Sequence, residues 1–284
     1  MTNRKPKIAV IGGGVFGTTC AILLGEDFSV EIFERHDDIL KEASHANQYR
    51  HHMGYHYPRS KETVQEIKRA TKDFDEFYKS IIISTFPSYY CVSKEGSLIS
   101  KDDFLLFCDT LGLPYEQEYP YPEFLNPDSV SLCVKTPEAI YDYNKLKFLI
   151  KKRIQDNSNI TLNLNHKVLD ACIEYGSLKV LTIDTGKQKI QKKFDYVINA
   201  TYANHNTFCD WLGFSKKSLE FRLKEVIIVK LETPHTCAVT VMDGPFTTMV
   251  PVGKDGVFTF GDVPLSIHET YTQNYCYTIR IEEN

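Results

Sequence analysis

The opening 34 residues restrict the fold more than any other part of the chain. Residues 7–11, KIAVI, form a short unbroken apolar run, which predicts a strand buried on both faces. GGGVFG follows at 12–17, and the small, apolar TTCAILL predicts a helix packed closely on a sheet. After Gly25, FSVEIFE predicts a second strand ending in Glu34. Each piece has a physical task. Gly12 permits the tight turn, Gly14 lets backbone approach a pyrophosphate, and Gly17 lets helix and strand come together. The helix start offers free N–H groups and a partial positive charge to phosphate. Glu34 lies 22 residues after Gly12, where a carboxylate can bind ribose hydroxyls and would repel a 2′-phosphate, although Arg35 stands next to it. A lone G-x-G-x-x-G is weak, because glycine turns also serve packing alone. Here strand, helix, second strand and acid agree on a dinucleotide-binding unit.

Bulk properties exclude several classes. A net charge of −4 provides no basic footprint for nucleic acid. Apolar content of 42% and charged content of 25% are those of a soluble globular chain. No apolar run approaches the ~18–20 residues of a membrane span. The eight cysteines are scattered, without a CxxC pair or metal spacing. Because the first strand begins by Lys7, no secretion signal is expected, and the reading is a cytoplasmic protein with reduced thiols.

Further along, residues 61–79 place Val64, Ile67, Ala70, Phe74 and Phe77 at helical spacing. PSYYCVSKEGSL predicts a hairpin. DDFLLFCDTLGL at 102–113 predicts a helix with Asp102 or Asp103 near its N-cap and Gly112 near its end. Residues 114–128 read as a loop, and 142–155 as a helix with Leu146, Leu149, Ile150 and Ile154 on one face. The run from Ile160 to Gly186 predicts three strands with turns at YGS and TG, and FDYVINATYANHN predicts a strand that breaks at Ala200 and Thr201. Strands are expected in EVIIVKLE and TCAVTVMD, and a hairpin in 247–263 turning at Lys254-Asp255-Gly256. The fold class is therefore α/β (α+β overall): a Rossmann-like FAD/NAD(P)-binding domain, residues 1–80 and 142–215, interleaved with an antiparallel β-rich substrate domain, residues 81–141 and 216–284.

QYRHHMGYHYPRS, at 48–60, concentrates three histidines, three tyrosines and two arginines. His52 and His56 stand four apart, as in a helical zinc pair. Gly54 and Pro58 oppose a helix there, and no nearby cysteine or acid offers a third ligand, so no metal is expected. Stacking aromatics beside basic groups suit single-stranded nucleic acid, but the chain is acidic. No G-x-S-x-G is present for a serine hydrolase.

Strand-GGGVFG-helix-strand-FER, ASHANQYRHHMGYHYP and FDYVINAT together resemble the D-amino-acid-oxidase-like superfamily of FAD-dependent oxidoreductases. The likeness spans most of residues 5–265 and implies FAD as cofactor, held by Gly12, Gly14, Val15, Phe16, Gly17, Glu34 and Arg35. It further implies that Ser44, Asn47 and Gln48 contact flavin, ribityl or phosphate, that Val168 presents backbone to adenine, and that Ala200 and Thr201 begin an Ala-Thr-Gly motif. Two departures stand out. Tyr202 occupies the place of that motif's glycine, and no glycine follows Gly261, so the chain reads as shortened at its C-terminus. An oxidase of this kind needs a carboxylate anchor and a donor near the flavin. Arg50 and Arg59 are candidates for the first, His51, His52 and His56 for the second, and Tyr55 or Tyr57 for the pocket wall; Arg50, His51 and His52 are the leading catalytic candidates. The expected function is oxidation of a small amine, amino acid or hydroxy acid, free or sugar-linked, by hydride transfer to flavin. The alternatives are an NAD-dependent dehydrogenase and a non-catalytic nucleotide-binding remnant. A small-molecule substrate is the expected partner; oligomeric state is left open.

Overall fold

The computed structural model describes residues 4–174, 176–253 and 256–275. The chain divides into two compact units, each built from separated segments: Met1–Ala46, Lys147–Arg222 and Glu269–Asn284 in one, Asn47–Leu146 and Leu223–His268 in the other. Residues 47–80 thus sit in the second unit, although the sequence groups them with the first.

The first unit is built on a parallel sheet. β1 (Lys7–Ile11) is flanked by β2 (Ser29–Phe33) and β13 (Tyr196–Asn199), with β9 (Ile160–Asn163) beyond β2, all parallel. Helix α1 (Val15–Leu24) connects β1 to β2 and buries Gly17, Thr18 and Ala21, the small residues that allow close packing. Helix α4 (Tyr143–Gln155) precedes β9, burying Leu146, Ile150 and Ile154 as its spacing predicts. An antiparallel meander of β10 (Lys167–Ile173), β11 (Lys179–Asp184) and β12 (Lys189–Phe194) follows. Strand β12, KIQKKF, lacks an apolar run because alternate residues are exposed. Helix α5 (His205–Leu212) closes on Gly213. The core joins Ala9, Ile11, Phe33, Val168, Leu181, Phe194 and Phe208.

The second unit holds a seven-stranded mixed sheet in the order β15 (Ile227–Lys230), β18 (Val257–Asp262), β17 (Thr247–Pro251), β16 (Ala238–Met242), β5 (Ser88–Ser93), β7 (Val130–Thr136), β6 (Glu116–Gln117). The hairpin expected in PSYYCVSKEGSL does not form: β5 lies between β16, parallel, and β7, antiparallel, partners far away in sequence. A small sheet of β3 (Arg50–His51), β8 (Ala139–Tyr141) and β4 (Ile82–Ile83) accompanies it. Helix α2 (Lys61–Tyr78) is capped by Ser60. Helix α3 (Lys101–Leu111) is capped by Ser100, with Asp102 and Asp103 in its first turn; the Ser100 hydroxyl accepts from the Asp103 N–H at 3.1 Å. A two-stranded ladder pairs β14 (Leu219–Lys224) with β19 (Ile267–Gln273). The hairpin of β17 and β18 forms, while Lys254 and Asp255 of its turn, Tyr175 of the YGS turn and Cys276 lie outside the described residues. Among the described residues no helix is long and apolar enough to cross a membrane.

Candidate functional site

The end of β1 opens into a cavity of about 460 Å³ within the first unit. Its mouth is shaped by glycine. Gly12 has φ +108°, and a side chain there would come within 2.6 Å of the Ala200 carbonyl oxygen, so only hydrogen fits where the chain turns against the end of β13. Gly14, the N-cap of α1, has ordinary backbone angles, and a Cβ there would meet only the Ser44 hydroxyl, at 3.2 Å. No acidic residue occupies the first turn of α1. The Val15 N–H donates to the Ser44 hydroxyl at 3.1 Å, which fixes Ser44 beside the helix start. A bare helix N-terminus, backbone uncovered by side chains and a hydroxyl beside it together suit a diphosphate.

Glu34 is 8% exposed. One of its oxygens accepts from the Gly13 N–H at 2.6 Å and the other from the His36 N–H at 2.9 Å. The carboxylate is thereby oriented along the cavity wall with lone pairs left over for ribose hydroxyls. Arg35 does not stand free: its guanidinium pairs with Glu42, which also contacts His36 Nε2 at 2.7 Å. Burial acts to raise the Glu42 carboxyl, but hydrogen bonds from His36 and Arg35 hold it below the ordinary range. Neutralised in this way, Arg35 is poorly placed to recruit a 2′-phosphate.

Gly12, Gly14, Glu34, Arg35, Ser44, Val168, Ala200 and Thr201 all line this cavity. Val15, Phe16 and Gly17 do not; Phe16 is 80% exposed and Gly17 is buried against β1. Tyr202 lines the cavity with φ +52°, so it adopts the left-handed conformation that favours the glycine it replaces, and its ring is exposed. Sequence reading missed His166, Phe208 and Trp211, which give the cavity an aromatic wall suited to a planar base. The first is separated from Val168 by one residue; the other two lie on α5, whose short pattern gave no signal.

The remaining expected residues belong to the second unit. The Asn47 side-chain oxygen accepts from the Tyr49 N–H at 2.7 Å and the Tyr141 hydroxyl at 3.2 Å, and Gln48 donates to Thr259 at 3.3 Å. Arg50 is buried and already engaged: its Nη2 lies 2.7 Å from a Glu138 oxygen and it also donates to the Tyr90 hydroxyl. Its fork is therefore taken up internally, not presented to a substrate carboxylate. His51 faces Asp75 at 2.8 Å and packs on Phe74 of α2. His52 Nδ1 is 3.5 Å from the same Glu138 oxygen, and its ring lies 5.7 Å from that of His56. Tyr55 is fully buried, its hydroxyl donating to the Pro114 carbonyl; Arg59 pairs with Asp243. Among the described residues no group of three or more metal-ligating side chains is assembled.

Glu138, which no local pattern singles out, organises this segment. Besides Arg50 and His52, it accepts from the Tyr90 hydroxyl at 2.8 Å and the Met53 N–H at 3.1 Å. Burial would raise its carboxyl, but the charge of Arg50 and the contact with His52 hold it down at about 2. His56, by contrast, is pushed down from 6.5 to about 4 by burial first and then by the charges of Arg50 and His52, with Glu138 and Asp243 opposing. The unfolded His56 takes up a proton near pH 6.5 and the folded one only near 4. Stability is therefore complete above the first value and falls by about 3 kcal/mol as the pH drops through that interval. His56→Gln is expected to flatten the pH dependence of the urea midpoint between these values. An unchanged slope would contradict the burial of His56 beside Arg50.

Residues 7–141 match the DAO family, FAD dependent oxidoreductase. The matched stretch is a little under half of the 284-residue chain. It is 27% identical over 259 residues to the FAD-dependent monooxygenase FPY4 of Fusarium mangiferae, covering 90% of this chain and 64% of that protein. To the FAD-dependent monooxygenase kojA of Aspergillus flavus it is 30% identical over 208 residues, 69% of this chain and 45% of that protein. The chain thus spans between about half and two thirds of the length of these relatives. Glycine oxidase from Geobacillus kaustophilus superposes with a TM-score of 0.71 at 16% identity, covering 97% of this chain and 75% of that one. L-alpha-glycerophosphate oxidase from Mycoplasma pneumoniae, solved with FAD bound, gives 0.71 at 15%, covering 96% and 72%. At such identities the likeness is one of fold.

Proposed function

We propose that the first unit binds FAD and that the protein is an oxidoreductase acting on a small amine, amino acid or hydroxy acid. The observation that carries this reading is the convergence of Gly14, Glu34, Ser44, Val168, Ala200 and Thr201 on one cavity at the end of β1. The residues fit the group: the bare start of α1 and Ser44 receive the diphosphate, Glu34 the ribose, and the wall of His166, Phe208 and Trp211 the adenine. The flavin, when bound, supplies the redox chemistry. The protein's own part is to hold it, to exclude 2′-phosphate through Glu34 and the paired Arg35, and to keep His56 neutral at physiological pH.

A second reading, flavin-dependent monooxygenation, draws support from the two fungal relatives, both named FAD-dependent monooxygenases. Incorporation of labelled dioxygen into product, as opposed to peroxide release, separates the two. The cofactor assignment has its own test. Purified protein is expected to retain flavin bands near ~450 nm through gel filtration. Gly14→Val, whose backbone angles accept a side chain, is expected to fold normally and to lose at least about 90% of that flavin, because the added methyls fill the space of the diphosphate. Undiminished flavin in this variant would remove the assigned site. A colourless wild type that binds NADH would favour the dehydrogenase, and one that binds neither nucleotide would favour the non-catalytic remnant.

A further inference from the structure

Among the described residues β15 is the last strand of the seven-stranded sheet and pairs only with β18. The Leu231 N–H donates to the Gly256 carbonyl at 2.8 Å, continuing the ladder toward β18. By antiparallel alternation Ile227 and Val229 also turn their backbone groups to β18, while Ile228 and Lys230 turn theirs to the open edge. This edge is apolar. Ile227 is 44% exposed and Ile228 69%. The Glu225 N–H donates to the Ser266 carbonyl, which brings residues 263–266 alongside the start of β15. There Val263 and Leu265 are 42% and 81% exposed. Soluble proteins blunt such edges with charge, proline or a covering element, or else use them for pairing.

We propose that the β15 edge pairs with the same edge of a second copy of this chain, forming a twofold dimer with a sheet continuous across the interface. A twofold antiparallel contact presents one surface to itself, so the sequence must be complementary to its own reverse. Residues 224–232, KEVIIVKLE, meet that condition around Ile228 at the centre and at the two ends. With Ile228 opposite its counterpart, Ile227 faces Val229, and Lys224 comes opposite Glu232 at both ends. The register centred on Ile227 instead opposes Lys224 to Lys230, which is unfavourable. Charge therefore selects the first register, and the outward N–H and C=O groups of Ile228 find partners.

Sedimentation of the purified full chain at roughly 10–100 μM is expected to show a species of twice the chain mass. Ile228→Lys, at an exposed position whose N–H makes no bond to β18, is expected to sediment as a monomer with an unchanged circular dichroism spectrum. Lys224→Glu is expected to raise the dimer Kd about tenfold, and the exchanged pair Lys224→Glu with Glu232→Lys to restore it. A wild type that is monomeric throughout this range overturns the proposal, as does a dimer that survives Ile228→Lys. Failure of the exchanged pair to restore association overturns the register.

Discussion

Gly17→Ala is expected to unfold the first unit under conditions where the wild type is fully native. Alanine is normally the better helix residue, by about 1 kcal/mol, and Gly17 lies inside α1, so propensity alone predicts a gain. Packing reverses the sign. A Cβ at this position would sit 2.0 Å from the Gly12 carbonyl oxygen and 3.1 Å from the Ala200 Cβ. Neither neighbour yields easily. Gly12 is fixed in its turn at φ +108°, and the Ala200 N–H is bonded to the Ile11 carbonyl at 2.9 Å. Helix α1 must therefore lift from β1, exposing Thr18 and Ala21, both fully buried. A loss of about 3–5 kcal/mol is expected, a large part of the stability of an ordinary domain. Gly112→Ala, a left-handed helix end with open space around it, serves as the control and is expected to lose only about 1 kcal/mol. Urea unfolding followed by far-UV circular dichroism distinguishes the two; equal, small losses would refute the close approach of helix and strand.

The contrast between Gly17 and Glu138 shows what the sequence can carry. The segment from Lys7 to Glu34 was legible because strand, turn, helix and acid follow one another within 28 residues, and their contacts are local. Helices α2, α3 and α4 announced themselves by apolar spacing for the same reason. The strand β12 did not, since KIQKKF buries only Phe194 fully and reads as a charged stretch. The parallel pairing of β5 with β16 joins residues about 150 apart, as in Tyr90 opposite Thr240, and leaves no local trace. The site divides along the same line. Gly12, Gly14, Glu34 and Arg35, which line the cavity, could be proposed from spacing, whereas Ser44 and the departure at Tyr202 came only from the family resemblance. The role of Arg50 could not, because its partner Glu138 lies 88 residues on. Read alone, an arginine beside histidines looks like a free carboxylate anchor; the fold gives it a carboxylate of its own.

Glu138→Gln is expected to be the most damaging single change in the second unit. The side chains of Arg50 and Glu138 are 8% and 2% exposed, so the guanidinium has no recourse to bulk water once its counter-charge is removed. An amide retains the shape and one acceptor, but leaves a buried positive charge facing Tyr90, His52 and His56 uncompensated. A loss of about 3–5 kcal/mol is expected, because breaking a buried pair costs more than replacing it whole. The pair Arg50→Met with Glu138→Leu, of similar volume and without charge, is expected to recover most of that loss. Acid should imitate the single variant. The folded Glu138 carboxyl titrates at about 2 against an ordinary 4.5, so its contribution is present above the ordinary value and is lost as the pH falls from 4.5 toward 2. Glu138→Gln is thus expected to remove this lower acid transition while leaving the one between 6.5 and 4, due to His56, in place. Recovery in the double variant without recovery of flavin turnover would show that Arg50 acts on the reaction as well as on the fold. A single variant as stable as the wild type would mean that water reaches Arg50, and would return it to the list of groups available to a substrate.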